Sequence, residues 1–344
     1  MSPATTTILI SSLATGTIIT ASSYHWFMAW IGLEMNTLAI IPMISKQHHP
    51  RATEAATKYF LTQAAASAMI LFSSTTNAWL TGTWDIMNSQ NPTANVLLTM
   101  AIAMKLGLAP VHFWLPEVLQ GSTLKTAMII ATWQKLAPMA LIYLTLNNLP
   151  STVLMIMGMT SAVLGGWAGL NQTQARKIMA YSSIAHLGWM ATITTISPNI
   201  LLLNLMIYLL MTTSMFYTLM LLNSKNIKDM ATSWTTSPPI TAITMLILLS
   251  LGGLPPLTGF MPKWLIIEEL TTQNLTVMAT IMALASLLSL FFYLRLTYSS
   301  TITLSPNTTT TTHKWRFKQT PNTLLLSMTL PTSILMLPLT PTLC

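Results

Sequence analysis

The most telling residue in this 344-residue chain is Glu34. It stands in Trp30-Ile31-Gly32-Leu33-Glu34-Met35-Asn36-Thr37-Leu38, ten residues from either end of an apolar run. An ionisable group at that depth in hydrocarbon costs about 2.5–3.5 kcal/mol. A short glutamate cannot stretch its charge back to an interface. Such a group is either a static ion pair locking two helices or a carrier of protons or ions. Three lysines pose the same question. Lys105 precedes Leu106-Gly107-Leu108-Ala109-Pro110, Lys135 follows Thr132-Trp133-Gln134, and Lys263 closes Pro255-Pro256-Leu257-Thr258-Gly259-Phe260-Met261-Pro262. One carboxylate cannot neutralise three amines, which weighs against purely structural counter-charges. A buried lysine is a group that can exchange protons.

His112 and His186 also fall in apolar runs. Imidazole both donates and accepts, so each suits a relay, but each suits a packing hydrogen bond as well. Lys58 lies one helical turn from Glu54, the spacing of a surface ion pair, with the alternative that Lys58 sits deep enough to join the relay. Glu117 is a further candidate, whereas Glu268 and Arg295 read as interfacial. No second His, Cys or carboxylate stands at ligand spacing from these groups, so no metal is expected. The one cysteine, Cys344, allows neither an internal disulfide nor an iron–sulfur or thiolate–zinc centre. Glycine-rich nucleotide motifs are missing, so no cofactor is expected in this chain.

These charges have to be held by apolar elements. Hydrophobic residues make up 52% of the chain and charged ones 6%, against about 25% in soluble domains. The surface of such a protein must face lipid. Nucleic-acid binding is excluded despite the net charge of +8, because the basic residues form no stripe interleaved with aromatics. Segments of ~20 apolar residues suffice to cross a bilayer. Eleven runs qualify: 3–21, 24–44, 54–80, 93–119, 123–146, 150–170, 177–196, 199–222, 238–268, 275–299 and 322–343. Loop charge supports the count. Lys46, Arg51, Lys58, Lys125, Arg176, Lys177, Lys225, Lys228, Lys314, Arg316 and Lys318 gather on one side, and the opposite loops hold no Lys or Arg. That asymmetry puts the N-terminus on the cytoplasmic-equivalent side, the matrix of a mitochondrion. No leader or transit peptide is visible, and 26 Met with abundant Thr resemble mitochondrially encoded proteins, so synthesis is expected where the protein works.

An internal repeat is faint but physical. Leu106-Gly107-Leu108-Ala109-Pro110 resembles Leu251-Gly252-Gly253-Leu254-Pro255, in the fourth and ninth runs. Five runs apart means opposite orientation. Paired Gly/Pro interruptions in two halves are the sequence mark of a transport site. The expected layout is a first five-helix repeat over 1–146 with a broken helix at 93–119. A second, inverted repeat follows over 150–300 with a broken helix at 238–268. A loop and a last helix close the chain over 301–344.

Four stretches carry a family resemblance: HWFMAWIGLEMNTLAIIP (25–42), MKLGLAPVHFWLPEVLQG (104–121), GGWAGLNQTQARKIMAYSSIAHLGWM (165–190) and LSLGGLPPLTGFMPKW (249–264). The chain resembles the antiporter-like membrane subunits of respiratory NADH–ubiquinone oxidoreductase, which are similar to multi-subunit cation/proton antiporters. The resemblance implies an all-α polytopic membrane protein with two inverted five-helix repeats, each with a broken helix. It also implies a proton relay through Glu34, Lys105, Lys135 and Lys263, with His112, His186 and Lys58 as further members, and protons carried on internal water. Partners would be the other membrane-arm subunits and the lipid of the mitochondrial inner membrane. Two other readings stay open: a stand-alone cation/proton antiporter, and a structural subunit whose charges only fasten helices.

Overall fold

The computed structural model describes residues 2–47, 49–303, 306, 311 and 323–340; the basic cluster Lys314, Arg316 and Lys318 and the terminal Cys344 lie outside them. The described chain is helical, and its only extended pairings are two isolated bridges, His25 with Asp85 and Gln174 with Asn226. Six helices are long and apolar enough to cross a membrane: Pro3–Ser22, Trp26–Ile44, Leu124–Leu144, Ser151–Gly169, Pro198–Leu221 and Thr276–Ile302. The chain is therefore a multi-pass membrane protein.

By contacts the chain divides into two compact units, Met1–Ser161 with Met190–Pro198, and Ala162–Trp189 with Asn199–Cys344. In the first, α1 (Pro3–Ser22), α2 (Trp26–Ile44), α3 (Pro50–Thr81), α4 (Pro92–Leu106), α5 (Trp114–Gly121), α6 (Leu124–Ala131) and α7 (Trp133–Leu144) follow in order. Proline opens α1, α3 and α4, where its missing N–H costs nothing. The side chains of Ser2, His49 and Asn91 accept backbone N–H groups at those same ends. Helix α1 is rich in Thr and Ser, yet it suits lipid because each hydroxyl folds back on its own helix. Thr6 Oγ1, for instance, donates to Pro3 O at 2.7 Å and Ser11 Oγ to Ile8 O at 2.9 Å. Helices α1 and α2 pack tightly: a Cβ at Gly32 would come within 2.8 Å of Gly16 O, so small residues are needed at this crossing. Helix α3 packs on α2, α4 and α5, and α7 touches α1, α2, α4 and α6.

The second unit contains parts of α8 (Ser151–Gly169) and α9 (Ala175–Ile193), then α10 (Pro198–Leu221), α11 (Ile227–Thr236), α12 (Pro238–Gly252), α13 (Phe260–Thr272), α14 (Thr276–Thr297) and α15 (Leu324–Leu335). Helix α12 packs on α14 and α15. Two features differ from the sequence expectation. The polar stretch 223–237, left between the eighth and ninth apolar runs, contains α11. Asn226 and Asp229 build its capping box, with Asp229 Oδ2 accepting from the N–H of Asn226 at 3.0 Å. The fifth apolar run, counted above as one span over Leu124–Leu144, is interrupted within its length. Thr132 (φ −112°, ψ −72°) separates α6 from α7, its hydroxyl folded back on Met128 O at 2.6 Å.

Candidate functional site

The expected interruptions exist, and each opens on a left-handed glycine. Helix α4 stops at Leu106 and Gly107 takes φ +80°, ψ 39°; α12 stops at Gly252 and Gly253 takes φ +80°, ψ 43°. A β-carbon makes that conformation costly, which is why glycine stands there. Both helices are 15 residues long, and both open on proline. Both are followed by a seven-residue connection to a helix that begins on an aromatic, Trp114 or Phe260. The structural register thus pairs Gly107 with Gly253, one residue away from the pairing of Gly107 with Gly252 suggested by the sequence motif.

A broken helix strands carbonyl oxygens that in hydrocarbon must find internal donors. In each unit a lysine answers the carbonyl just before the glycine. Lys135 Nζ, on α7, donates to Leu106 O. Lys263 Nζ, on α13, donates to Gly252 O at 2.8 Å. Lys135 is 1% exposed and Lys263 9%. The Lys135 amine also lies 5.8 Å from the centre of the Trp114 ring, whose Nε1 donates to Met104 O at 3.1 Å. Around Lys135, then, the break is closed by a cation, an aromatic face and an indole donor.

Lys105 is different. It sits in the last turn of α4, 5% exposed, and its Nζ has no hydrogen-bond partner. Glu34, half-buried on α2, accepts from Thr37 Oγ1 at 2.9 Å through Oε2. Its charge reaches Lys105 electrostatically. The two form no direct ion pair: among the described residues, the pairs within 4.0 Å are Lys58 with Glu54 at 2.5 Å and Lys58 with Glu117 at 2.6 Å. Lys58 is therefore where the i,i+4 reading put it, with Glu117 as an added partner. All three of these side chains are largely exposed in the chain taken alone, at 41%, 60% and 50%.

His112 is buried within the α4–α5 interruption, its ring 4.3 Å from that of Phe113. His186, buried on α9, packs its ring 5.7 Å from Tyr208. Arg295, expected as an interfacial anchor, caps the end of α8: its guanidinium donates to Leu170 O at 2.5 Å and to Gln172 O. Two uncharged residues escaped the sequence reading. Gln134 Nε2 donates to Asn36 O at 3.2 Å, and Tyr59 Oη donates to Gln134 Oε1 at 3.4 Å, which links the helix of Glu34 to the helix of Lys135. The signal was available, since Gln134 is the neighbour of Lys135 in a run otherwise apolar. No cluster of three or more His, Cys, Asp or Glu able to hold a metal occurs among the described residues.

Paired broken helices with buried lysines define an antiporter-like membrane protein. Residues 23–289 match the family model for the transmembrane region of NADH:quinone oxidoreductase and Mrp antiporters. The Mrp complex of Dietzia sp. DQ12-45-1b shares the fold, with a TM-score of 0.77 at 17% identity over 87% of this chain and 61% of that one. A chain of respiratory complex I from Thermus thermophilus, solved with bound aureothin, superposes with a TM-score of 0.81 at 28% identity, over 97% of this chain and 79% of that one. Residues 290–344 match the C-terminal model of NADH dehydrogenase subunit 2. NADH-ubiquinone oxidoreductase chain 2 of Xenopus laevis is 57% identical over 341 residues, 99% of either chain, and that of Salmo salar is 58% identical over 341 residues, 99% of this chain and 98% of the other. The chain belongs to the NADH-ubiquinone oxidoreductase chain 2 family.

Proposed function

We propose that this chain is a proton-translocating, antiporter-like membrane subunit of respiratory NADH–ubiquinone oxidoreductase. It works beside other membrane-arm subunits in the mitochondrial inner membrane and holds no redox centre. The observation that carries the proposal is the pair of buried lysines, Lys135 and Lys263, each placed on the carbonyl freed by a broken helix. A lysine fixed only as a counter-charge would be matched by a carboxylate. These two amines are held by a neutral backbone oxygen, which binds either protonation state: it accepts from an ammonium and, more weakly, from a neutral amine. The proton can leave while the hydrogen bond stays.

Glu34 and Lys105 supply the switch. When Glu34 is ionised, its field holds the unpartnered Lys105 amine protonated. A change of charge in a neighbouring subunit weakens that hold, and Lys105 releases its proton toward Lys135 through internal water. Lys263 serves the second unit, with His186 beside it, and exchanges with one aqueous face. The free energy comes from quinone reduction in other chains. The finer architecture belongs to the same proposal: eleven spans in two inverted five-helix repeats, 1–146 and 150–300, with 301–344 as an appendage. The N-terminus and the loops near 46–52, 120–126, 223–236 and 305–320 face the matrix. The test is Lys135→Met, which keeps the apolar stem and removes the amine. Proton translocation by the assembled complex is expected to fail; full translocation would reduce Lys135 to a helix fastener.

A further inference from the structure

Helix α3 carries a feature the relay does not use. Tyr59, Gln63, Ser67, Ser74 and Asn77 are all buried. Their spacing places them on one face of the helix, in a line about 27 Å long at 1.5 Å per residue. That is close to the thickness of the hydrocarbon core, about 30 Å. The seam starts at Tyr59, beside Gln134 and within the field of Glu34. It ends at Asn77, near the loop 82–91, which bears no Lys or Arg and lies at the opposite end of α3 from Lys46 and Arg51.

At that end the structure contains a small pocket in which polar side chains stand among apolar ones. Trp26, Ser73, Ser74, Asn77, Ser89 and Asn95 are among its lining residues, and its room for a water's centre is about 10 Å³, close to what one molecule requires. Three of these residues each have a buried atom with no hydrogen-bond partner: Trp26 Nε1, Asn77 Oδ1 and Ser89 Oγ. The residues are no more than 7% exposed. Their chemistry is complementary. The indole only donates, the amide oxygen only accepts, and the hydroxyl does either. The Asn77 amide is oriented by its own Nδ2, which donates to Asn88 O at 3.0 Å, so Oδ1 is the atom left over. The loop is held in place: Trp26 N donates to Trp84 O at 3.1 Å, Ile86 N to Tyr24 O at 3.0 Å, and His25 stacks on Trp84 at 5.7 Å. An orphaned buried polar atom is costly, and three around one pocket call for a shared partner.

We propose that Trp26, Asn77 and Ser89 bind one resident water, and that this water is the aqueous contact of the α3 seam on the side opposite the lysine-bearing loops. One molecule satisfies all three atoms: it accepts from Trp26 Nε1, donates to Asn77 Oδ1, and shares a hydrogen bond with Ser89 Oγ, the three partners typical of a buried water. Its binding stands on the cavity and the three atoms; its role in access rests on the proton-translocating reading. The test is a high-resolution electron cryo-microscopy map of the intact complex, wild type and Asn77→Leu, with protons moved per electron measured on the same preparations. The expected result is a solvent peak within hydrogen-bond distance of all three atoms, lost in Asn77→Leu together with part of the translocation. A wild-type map without that peak overturns the site, and unchanged translocation in an assembled variant that has lost the peak overturns the access role. Should Asn77→Leu fail to assemble, Ser89→Ala removes one of the three partners from the loop and is read in the same way. Full translocation by Lys135→Met would sink the proton-transfer reading while leaving the peak in place, so the two failures are distinguishable.

Discussion

The two helix breaks are the same backbone device fitted with different side chains. Each consists of a 15-residue helix opened by proline, a left-handed glycine and a seven-residue connection. At Gly253 the lysine that answers the freed carbonyl comes from the helix immediately beyond the break, at Pro262-Lys263. At Gly107 the position in the same register is Pro116-Glu117. That glutamate turns instead to the exposed Lys58, and the carbonyl is answered from a separate helix by Lys135. The first break also carries an extra amine, Lys105, where the second has Leu251. In both breaks a lysine answers the carbonyl just before the glycine, and the two lysines come from different places in the chain. What the first unit gains is a second, unpartnered amine within the field of Glu34. In the proposed function, the first break is the place where charge is rearranged, and the second the place where one proton is held and handed on.

The sharpest way to break this comparison is to remove the donor at each site. Lys263→Met and Lys135→Met both leave a buried carbonyl without its partner, worth about 1–3 kcal/mol. Both are expected to abolish translocation while the complex still assembles, measured as proton uptake per electron in membrane vesicles. If only one of them does so, the two breaks are not functional equivalents.

Next in size are the glycines. Gly107→Ala and Gly253→Ala each force a β-carbon into a left-handed conformation, at about 1–2 kcal/mol. At Gly253 the new carbon would also lie 2.9 Å from Lys263 Nζ and 3.0 Å from its Cδ, whereas at Gly107 it meets only the apolar Leu115 and Trp114 at 3.1 and 3.4 Å. Gly253→Ala is therefore expected to lower both thermal stability and translocation, and Gly107→Ala mainly stability. Equal loss of translocation in both would show that the Lys263 amine is not the sensitive element.

Glu34→Gln and Lys105→Met probe the feature found at the first break alone. Either substitution is expected to impair translocation, and the double variant less than the sum of the two, read as a double-mutant cycle on pumping rate. Strict additivity would mean that Glu34 and Lys105 act independently. A smaller effect is expected from Thr258→Val. The Thr258 hydroxyl, in the connection between α12 and α13, donates to Ser333 O near the end of α15. Its loss is expected to lower the melting temperature of the complex by a few degrees at most, with translocation retained. The smallest effect belongs to Lys58→Met. Its ion pairs are exposed, so translocation is expected to change little and in a salt-dependent way.

Much of this was legible from sequence because the signals were covalent. Proline and glycine mark breaks, apolar length marks helices, and a lone Glu34 in an apolar run marks a candidate for chemistry. The break at Thr132 was not legible, since no glycine or proline announces it. Helix α11 was hidden by its polar composition, though Asn226 and Asp229 stand at capping-box spacing. The partners of Lys135 and Lys263 could not be read at all, because a backbone carbonyl carries no sequence signal. The one-residue shift in repeat register had the same cause: Leu-Gly letters matched at Gly252, while conformation selects Gly253. The seam on α3 was passed over because it contains no charge, although Tyr59, Gln63, Ser67, Ser74 and Asn77 already had helical spacing.

The central claim is that the amines on the broken helices carry protons and do not merely fasten carbonyls. Lys→Arg at Lys135 and at Lys263 separates the two, because a guanidinium keeps the charge and the donors but does not release its proton. The measurement is the number of protons moved per electron by the assembled complex, with NADH as electron donor and quinone as acceptor. The account predicts that both arginine variants lose translocation as the methionine variants do; full translocation with arginine at either position would contradict it.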